Sequence, residues 1–312
     1  MNIVIGVVFL LENIKNIFND VIIKGSMLIG EPMKAHTSFK IGGPADLMVI
    51  PGNEGELLNA INICRNNKIS FYIMGNGTNL LVSDKGIRGV VIKLGDGLGE
   101  IRIENNIIKA GAGALLSTIS KVAMKNFLKG MEFASGIPGS IGGAVMMNAG
   151  AYGGEMKDII SRVKCLNKDG DIVYFNRDEM NFRYRKSRIG DENLIALEAE
   201  IELDYGDREE IEKKMNELRD RRNLKQPLNV PSGGSTFKRP EGFFAGKLIE
   251  DSGLRGLRFG GAQVSEKHCG FIVNIDNATC EDVKKLIGIV QKVVQDNFDL
   301  ILEPEIKIIG EE

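Results

Sequence analysis

The sequence predicts an α+β protein with more than one domain. Its 312 residues are enough for two or three separate cores. Three regions of the chain differ in pattern, and each mixes strand-like runs with helical ones. Residues 134–154 also hold seven glycines within twenty-one positions. Because glycine costs backbone entropy, such a run indicates a place where the backbone turns sharply or approaches another group closely.

The first region covers about residues 30–94. A helix is predicted where four apolar residues recur on one helical face: Leu57, Leu58, Ile61 and Cys64. The strand-like residues 71–74 follow and run directly into the glycine-containing segment 75–80. This junction of a strand with a glycine loop is the first candidate ligand-binding element.

The second region begins with a strand at 107–113 and a helix carrying Leu116 and Ile119. After the glycine run come strands at 159–166 and 172–175, with a hairpin turn at 168–171 between them. Residues 197–203 then alternate apolar and acidic side chains, which predicts a strand with one buried and one solvent-exposed face.

The third region follows a change of period that places a domain boundary near Gly206. A charged helix is predicted at 207–222 and a polar loop at 226–234. The last long helix is predicted to start at Thr279, which forms a capping-box pair with Asp282. The chain ends in a strand-like segment at 305–309.

The glycine run does not have the composition of a flexible linker. Pro138 fixes φ in the turn before Gly139, and apolar residues such as Ile141 and Val145 stand between the glycines. An ordered backbone with many N–H groups suits a diphosphate and the flat ring attached to it. The alternative is a tightly packed buried loop. Seven glycines with Asn148 and Tyr152 nearby favour the ligand.

Composition excludes several function classes. A net charge of −2 gives no electrostatic attraction to nucleic acid. The four cysteines form no CxxC pair, and with two histidines no metal-ligand spacing can be assembled, so no metal site is expected. The apolar residues 3–11 are too few to cross a bilayer and lack the basic front of a signal peptide. We expect there the start of a helix through Phe18, or a partly ordered extension.

Two short glycine motifs, at 75–77 and 111–113, lack the third glycine of a dinucleotide-binding fingerprint. Neither is accompanied by the acidic residue that such a unit uses for the ribose, and there is no Gly-Lys-Ser/Thr phosphate loop. A dinucleotide would therefore bind here through a different fold.

Longer motifs supply that fold. The segments GNGTNLLVSD (75–84), AGAGALLSTI (110–119) and GIPGSIGGAVMMNAGAYG (136–153) resemble the FAD-binding domain of p-cresol methylhydroxylase-type flavoproteins. Within that superfamily, the chain resembles the UDP-N-acetylenolpyruvoylglucosamine reductase family. The further matching segments lie at 36–46, 182–188, 225–227, 234–240, 245–268 and 302–310. The unbroken run at 182–205 leaves no room for an extra substrate-covering loop, as in the shorter of the family's two types.

The resemblance implies a fold and a domain order. It implies a two-subdomain p-cresol methylhydroxylase-type FAD-binding domain, followed by a smaller α+β substrate-binding domain. We expect a helical extension at 1–29, the FAD-binding domain at 30–206 with subdomains of about 30–97 and 98–206, the substrate-binding domain at 207–300, and a final strand at 301–312 that carries Glu305.

The resemblance also implies a non-covalently bound FAD, because neither His36 nor His268 lies in the glycine loops where a covalent link could form. Both histidines are expected to be structural. The residues expected to hold the cofactor are Gly75, Asn76, Gly77, Thr78, Asn79, Leu80, Gly136, Ile137, Pro138, Gly139, Ser140, Gly142, Gly143, Asn148 and Gly150.

The implied reaction has two halves. NADPH first reduces FAD, and hydride then passes to the vinyl carbon of the enolpyruvyl ether on UDP-N-acetylglucosamine. The charge that develops beside the carboxylate needs a cation and an acid, and the carbon needs a proton donor. The residues that match the family's motifs for these roles are Arg185, Glu305 and Ser235. Each residue also has a plainer interpretation. Arg185 could belong to a solvated basic strand face, Glu305 could be an exposed carboxylate beside Glu303, and Ser235 could be an ordinary turn residue.

Three residues match substrate-binding positions of the family: Tyr184, Lys225 and Arg239. Arg239 stands where other members have an asparagine, and Lys225 could be one more charge in a basic run. The expected partners are the UDP-sugar and NADPH, for a monomeric cytoplasmic enzyme that does not insert into membranes. Two alternatives are another FAD-dependent oxidase of the superfamily and a non-catalytic nucleotide-binding module.

Overall fold

The computed structural model describes residues 16–312. The predicted N-terminal helix falls mostly on residues 1–15, outside the described part, although residues 16–18 are helical. None of the helices between residues 16 and 312 is long and apolar enough to cross a membrane.

The first elements form a four-stranded sheet beside one helix. The strands in this part of the chain are β1 (Ser26–Pro32), β2 (Pro44–Ile50), β3 (Phe71–Met74), β4 (Leu80–Val82) and β5 (Ile87–Lys93), and β4 lies outside this sheet. The sheet order is β1-β2-β5-β3, with β3 parallel to β5. The predicted helix is α1 (Glu54–Asn66), which begins where the Asn53 side chain accepts a hydrogen bond from the N–H of Glu56. The strand β3 ends at Met74, so Gly75, the first residue of the glycine loop, lies directly at its end.

The second sheet is antiparallel, with five strands in the order β12-β11-β13-β7-β6. The strands of this part are β6 (Ile101–Glu104), β7 (Ile107–Gly111), β8 (Leu128–Lys129), β9 (Gly150–Ala151), β10 (Gly154–Glu155), β11 (Ile160–Leu166), β12 (Ile172–Asn176), β13 (Ile195–Glu202) and β14 (Asp204–Tyr205). In β13 the apolar residues Leu197, Ala199 and Ile201 are buried, as their alternation with acidic residues predicts.

Four helices belong to the same part of the chain: α2 (Leu116–Lys125), α3 (Ile141–Met146), α4 (Met156–Ile159) and α5 (Arg188–Asp191). Of these, α3 lies inside the glycine run, which the sequence predicted as a loop. Its Ile141 and Val145 are buried in the core. Packing of this apolar face supports a short helix despite the glycines within it.

The remaining elements are α6 (Arg208–Lys225), α7 (Ala245–Asp251), β15 (Arg258–Phe259), β16 (Ala262–Val264), β17 (Ile272–Asn274), α8 (Cys280–Phe298) and β18 (Lys307–Ile309). The strands β15, β16 and β17 form an antiparallel sheet, and β18 pairs in parallel with β4. Helix α8 starts with the predicted capping box: Thr279 Oγ1 accepts from the N–H of Asp282, and the Asp282 carboxylate accepts from the N–H of Thr279.

The chain divides into two compact units that are discontinuous in sequence. Unit 1 contains the residues up to Ile29, Leu47–Asn76 and Val90–Arg222; unit 2 contains Gly30–Asp46, Gly77–Gly89 and Asn223–Glu312. Each unit has its own hydrophobic core. Large buried side chains include Leu57 and Ile119 in the first and Phe39 and Leu286 in the second. The domain boundaries expected from the sequence remain a prediction.

Candidate active site

Two glycine motifs of unit 1 meet at Ser140. The Asn76 side chain donates a hydrogen bond from Nδ2 to the carbonyl oxygen of Pro138, at 2.8 Å. A Cβ atom placed on Gly75 would lie 2.3 Å from the hydroxyl oxygen of Ser140, so glycine gives that hydroxyl its room. The structure thus brings the two predicted cofactor loops together.

The polar groups around Ser140 fit an anionic ligand. Its Oγ is the one buried side-chain N or O atom in residues 16–312 that has no hydrogen-bond partner. Within the same residues, the backbone N–H groups of Gly136, Gly139 and Ser140 donate to no protein acceptor. A buried hydroxyl and free backbone amides are the donors that a diphosphate requires. This cradle therefore suits the diphosphate of FAD.

Other residues of the glycine run have packing roles. The N–H of Gly142 donates to the carbonyl of Ala112, and a Cβ on Gly142 would lie 2.9 Å from the Ala112 Cβ. A Cβ on Gly150 would lie 2.7 Å from the carbonyl oxygen of Gly154, across the β9–β10 pair. For these two glycines, close backbone packing is sufficient to explain the residue type. Their predicted contact with the cofactor, like that of Ile137 and Gly143, remains a prediction.

Asn148 is almost fully buried, and protein groups use its amide. Nδ2 donates to Glu155 Oε2 at 3.0 Å and to the carbonyl of Arg183 at 3.3 Å, while Oδ1 accepts from the N–H of Lys157 at 2.9 Å. The donors of this amide are therefore satisfied within the protein. Its predicted contact with the cofactor remains a prediction.

The second half of the first glycine loop belongs to unit 2. Gly77 has a φ of 64°, which favours glycine, and its carbonyl accepts from the N–H of Ser38. Thr78 follows, and Leu80 opens β4. The Asn79 side chain donates from Nδ2 to the backbone carbonyl of Glu305 at 3.2 Å. The backbone carbonyl of Asn79 accepts from the N–H of Lys307 at 2.9 Å. This loop is therefore tied to the segment that carries Glu305.

Arg185 lies on a tight turn of unit 1 in a left-handed conformation. Arg183 and Lys186 exchange two backbone hydrogen bonds, of 3.0 and 3.1 Å, and leave Tyr184 and Arg185 at the tip. The φ of Arg185 is 56°, which is uncommon for a residue with a side chain. Its guanidinium carbon lies 4.9 Å from the centre of the Tyr184 ring. Strained backbone at a predicted catalytic position supports a functional role.

Ser235 follows a glycine pair that shapes its turn in unit 2. A Cβ on Gly233 would lie 2.3 Å from the Phe39 ring, and Gly234 has a φ of 81°. The next residue, Thr236, is fully buried, and its hydroxyl accepts from the N–H of Ile272 at 2.9 Å. The turn therefore anchors Thr236 inside and leaves Ser235 exposed.

Glu305 lies beside this turn. Its N–H donates to the carbonyl of Thr236 at 2.8 Å, and Phe237 forms an isolated bridge with Pro304. The structure thus brings Ser235 and Glu305 together within unit 2. Glu303, the alternative carboxylate, pairs with Lys238 through Oε2 and Nζ at 2.6 Å. Glu305 stays the candidate that the family motif indicates.

Lys225 is exposed at the end of α6. The pKa of the His268 imidazole is lowered, first by burial and then by the positive charges of Lys225 and Arg255. The ammonium group of Lys225 therefore acts on the loop that holds His268. His268 Nδ1 accepts from the N–H of Gly270 at 3.1 Å, as expected for a structural histidine. His36 pairs with Glu31 at 2.8 Å and also lies away from the glycine loops in sequence.

Arg239 forms contacts within its own loop. Its guanidinium carbon lies 4.0 Å from the centre of the exposed Phe244 ring, and Nε donates to the carbonyl of Phe243 at 3.2 Å. Tyr152, which the sequence left undecided, has a φ of 55° and lies under the guanidinium of Arg221 at 5.1 Å. In both contacts a guanidinium lies over an aromatic ring.

The cysteines are buried thiols without a disulfide. Burial raises the pKa of Cys64 and Cys165 to about 12 and that of Cys280 to about 11, and it also raises the pKa of Cys269. They are therefore protonated near neutral pH. No group of three or more metal-ligating side chains occurs in the described residues.

Two basic side chains near the predicted loops were not predicted from the sequence as site residues. Arg222 lies against Gly136, where an added Cβ would be 3.3 Å from its Cδ, and burial lowers the pKa of its guanidinium. Lys307, two residues after Glu305, also has a pKa lowered by burial. Arg222 belongs to a charged helix, so composition gave no sign that this residue faces inward.

The family comparisons agree with this architecture. Residues 45–176 match the family described as FAD binding domain, and residues 226–309 match the one described as UDP-N-acetylenolpyruvoylglucosamine reductase, C-terminal domain. Together with the cradle at Ser140, these matches define an FAD-dependent oxidoreductase. The α+β fold and the FAD cofactor expected from the sequence are confirmed.

Relatives identify the particular family. The UDP-N-acetylenolpyruvoylglucosamine reductase of Caldanaerobacter subterraneus is 55% identical over 302 residues, which cover 97% of this chain and 98% of the relative. That of Clostridioides difficile is 50% identical over 297 residues, covering 95% and 97%. The crystal structure of the Thermus caldophilus enzyme superposes with a TM-score of 0.78 at 34% identity, covering 91% and 98%. The chain belongs to the UDP-N-acetylenolpyruvoylglucosamine reductase family, whose members are FAD enzymes of peptidoglycan synthesis that use NADPH.

Proposed function

We propose that Arg185, Ser235 and Glu305 carry the reduction of the enolpyruvyl ether of UDP-N-acetylglucosamine to the lactyl ether, UDP-N-acetylmuramic acid. Bound FAD supplies the hydride-transfer chemistry between NADPH and the vinyl carbon. Addition of hydride leaves negative charge on the carbon that bears the carboxylate. The protein must therefore stabilise that charge and deliver a proton to that carbon.

Arg185 serves as the cation in this proposal. Its guanidinium stabilises the carboxylate and the enolate-like charge as it develops, with a fork of donors that matches two oxygens. The observation that carries the assignment is the positive φ of Arg185, at the tip of a turn closed by two backbone hydrogen bonds. A solvated basic face would need neither the strain nor the turn.

Ser235 and Glu305 complete the set. The Ser235 hydroxyl delivers the proton, and the Glu305 carboxyl acts as the acid near the substrate carboxylate. Their support is the backbone hydrogen bond from the Glu305 N–H to the carbonyl of Thr236, the residue that follows Ser235. A serine hydroxyl is a weak acid by itself, so a neighbouring group must stabilise its conjugate base.

The cofactor-holding residues are proposed in two groups. In unit 1, the backbone N–H groups of Gly136, Gly139 and Ser140 and the Ser140 hydroxyl would bind the diphosphate. Residues 77–80 of unit 2 are the second group. The predicted domain boundaries and a monomeric state rest on the resemblance alone. A cytoplasmic location is proposed on the same resemblance.

The purified protein is expected to carry a flavin that denaturation releases. The physical reason is that the loops offer amide and hydroxyl donors, while neither histidine lies in them. The test is an absorbance spectrum before and after NADPH addition without air, followed by denaturation and filtration. Bleaching by NADPH and flavin in the filtrate support the proposal; a colourless protein, or flavin that stays with the chain, contradicts it.

The Lys225→Ala variant is expected to raise KM for the UDP-sugar by roughly five- to thirty-fold, the equivalent of losing about 1–2 kcal/mol from one charge-assisted phosphate contact. FAD affinity should not change. Steady-state kinetics and flavin titration measure the two effects. Lys213→Ala, on the same helix, is the control and should behave as wild type. An unchanged KM in Lys225→Ala would place that lysine on the solvated face.

A further inference from the structure

The diphosphate of FAD is negatively charged, whereas the two loops proposed to hold it carry no charge of their own. Segments 75–80 and 134–154 contain no lysine, arginine or histidine. The donors that they offer are neutral: backbone N–H groups and the Ser140 hydroxyl. Because an anion taken out of water is stabilised by a partner of opposite charge, a cation from another part of the chain would strengthen this site.

Arg222, near the end of α6, lies against the first residue of this cradle, which covers residues 136–140. A Cβ atom on Gly136 would lie 3.3 Å from both Cδ and Nη1 of Arg222, so the lack of a side chain there leaves room for the guanidinium. The N–H of Gly136 donates to no acceptor between residues 16 and 312. A cation and an available amide donor therefore meet at Gly136, within unit 1.

The environment of Arg222 differs from that of the preceding arginine. Arg221 keeps half of its side chain exposed and pairs with Glu217 at 3.6 Å. Arg222 is half-buried; burial lowers the pKa of its guanidinium, and the nearby Tyr152 hydroxyl acts in the opposite direction. Burial of a positive charge costs solvation free energy, and an anion bound beside it offsets that cost.

We propose that the Arg222 guanidinium binds the diphosphate of FAD and supplies the positive charge that the cradle lacks. A guanidinium presents several N–H donors in one plane, which match the oxygens of a phosphate. Ser140 independently indicates a ligand here, because it is only 2% exposed and no group in the described part of the chain hydrogen-bonds to its Oγ. The inference rests on the proposed diphosphate site at Ser140.

Two other roles are compatible with the same contact. Arg222 could stabilise the fold by packing α6 against the glycine run, or it could bind the diphosphate of the UDP-sugar, which has the same chemistry. FAD is favoured because Gly136 and Ser140 belong to one short segment. That segment lies inside residues 45–176, the part of the chain that matches the FAD binding domain.

The test measures the dissociation constant of FAD from the flavin fluorescence that appears as the holoenzyme is diluted. Arg222→Gln is expected to weaken FAD binding roughly ten- to one-hundred-fold, the loss of one hydrogen bond between charged groups. Arg222→Lys keeps the charge and should bind FAD more tightly than Arg222→Gln. At saturating FAD, both variants should keep the wild-type KM for the UDP-sugar. Arg221→Gln is the matched control and should bind FAD as wild type.

The melting temperature of the flavin-free full-length chain separates binding from a structural role. Arg222→Gln should melt at or above the wild-type temperature, because it removes the desolvation cost of a half-buried charge. A lower melting temperature, or equal losses of FAD affinity in Arg222→Gln and Arg222→Lys, would make the role of Arg222 structural and overturn the inference. A raised KM for the UDP-sugar with unchanged FAD affinity would assign Arg222 to the other diphosphate and also overturn it.

Ser140→Ala tests the site on which the inference rests. Loss of its hydroxyl is expected to weaken FAD binding several-fold, because one hydrogen bond to a charged group is lost. If Ser140→Ala binds FAD as wild type, the proposed cradle fails and the inference fails with it. Weakened binding in Ser140→Ala together with wild-type binding in Arg222→Gln would refute the inference alone.

Discussion

Replacement of Ser235 by alanine is expected to slow reoxidation of the reduced enzyme by its enolpyruvyl substrate by about 10²–10⁴, the usual contribution of a well-placed general acid. Reduction by NADPH should remain near the wild-type rate, because no proton transfer to substrate carbon occurs in that half-reaction. Among residues 16–312, no group hydrogen-bonds to this exposed hydroxyl, so its removal breaks no structural bond there. Stopped-flow absorbance of the flavin measures both rates in one preparation.

Ser232→Ala is the matched control for this variant. Ser232 lies three residues earlier on the same segment and contributes a backbone bridge to Val273, which alanine keeps. It should behave as wild type in both half-reactions. Wild-type reoxidation in Ser235→Ala would remove Ser235 from the mechanism, whereas equal slowing of both half-reactions would make its role structural.

The Arg185→Ala variant is expected to lower the rate of the same half-reaction by roughly 10²–10³, as found when one preorganised donor to a developing charge is removed. NADPH should still bleach the flavin normally. Since Arg185 and Ser235 act on one intermediate, the double variant should be less impaired than the product of the single effects predicts. Lysine at position 185 should recover part of the rate, because it restores the charge without the planar fork.

Arg183→Ala provides the comparison for Arg185. Arg183 belongs to the same turn, but its guanidinium is paired with Asp191 and half exposed. Its loss should change reoxidation little, because a surface ion pair contributes at most about 1 kcal/mol to stability. Equal effects of the two substitutions would mean that the basic turn acts through its overall charge.

Local signals in the sequence were sufficient for much of the fold. The helix at Glu54–Asn66, the strand at Phe71–Met74 and the capping box at Thr279 all depend on residues close in the chain. In each case side-chain period or a cap residue identifies the element without tertiary information. The helix inside the glycine run was missed, because glycine disfavours helix and only burial of Ile141 and Val145 compensates.

The predicted site depended on long motifs, and its contacts required the structure. The sequence indicated Arg185 but gave no sign of its left-handed backbone, which depends on the turn closed by Arg183 and Lys186. The cofactor contact of Asn148 stays a prediction, and nothing in the sequence showed that its amide also donates to Glu155 Oε2 and to the carbonyl of Arg183. Hydrogen bonds between residues seven and thirty-five positions apart leave no periodic signal in a single sequence.

The proposed reaction requires that the protein, once reduced by NADPH, passes that hydride to the enolpyruvyl ether. The most direct test mixes the NADPH-reduced enzyme, freed of nicotinamide and air, with UDP-N-acetylglucosamine enolpyruvate. Flavin absorbance and product are then followed together. The oxidised spectrum is expected to return with one equivalent of UDP-N-acetylmuramic acid formed per flavin. A flavin that stays reduced until oxygen is admitted, or that reoxidises without forming the lactyl ether, would contradict it.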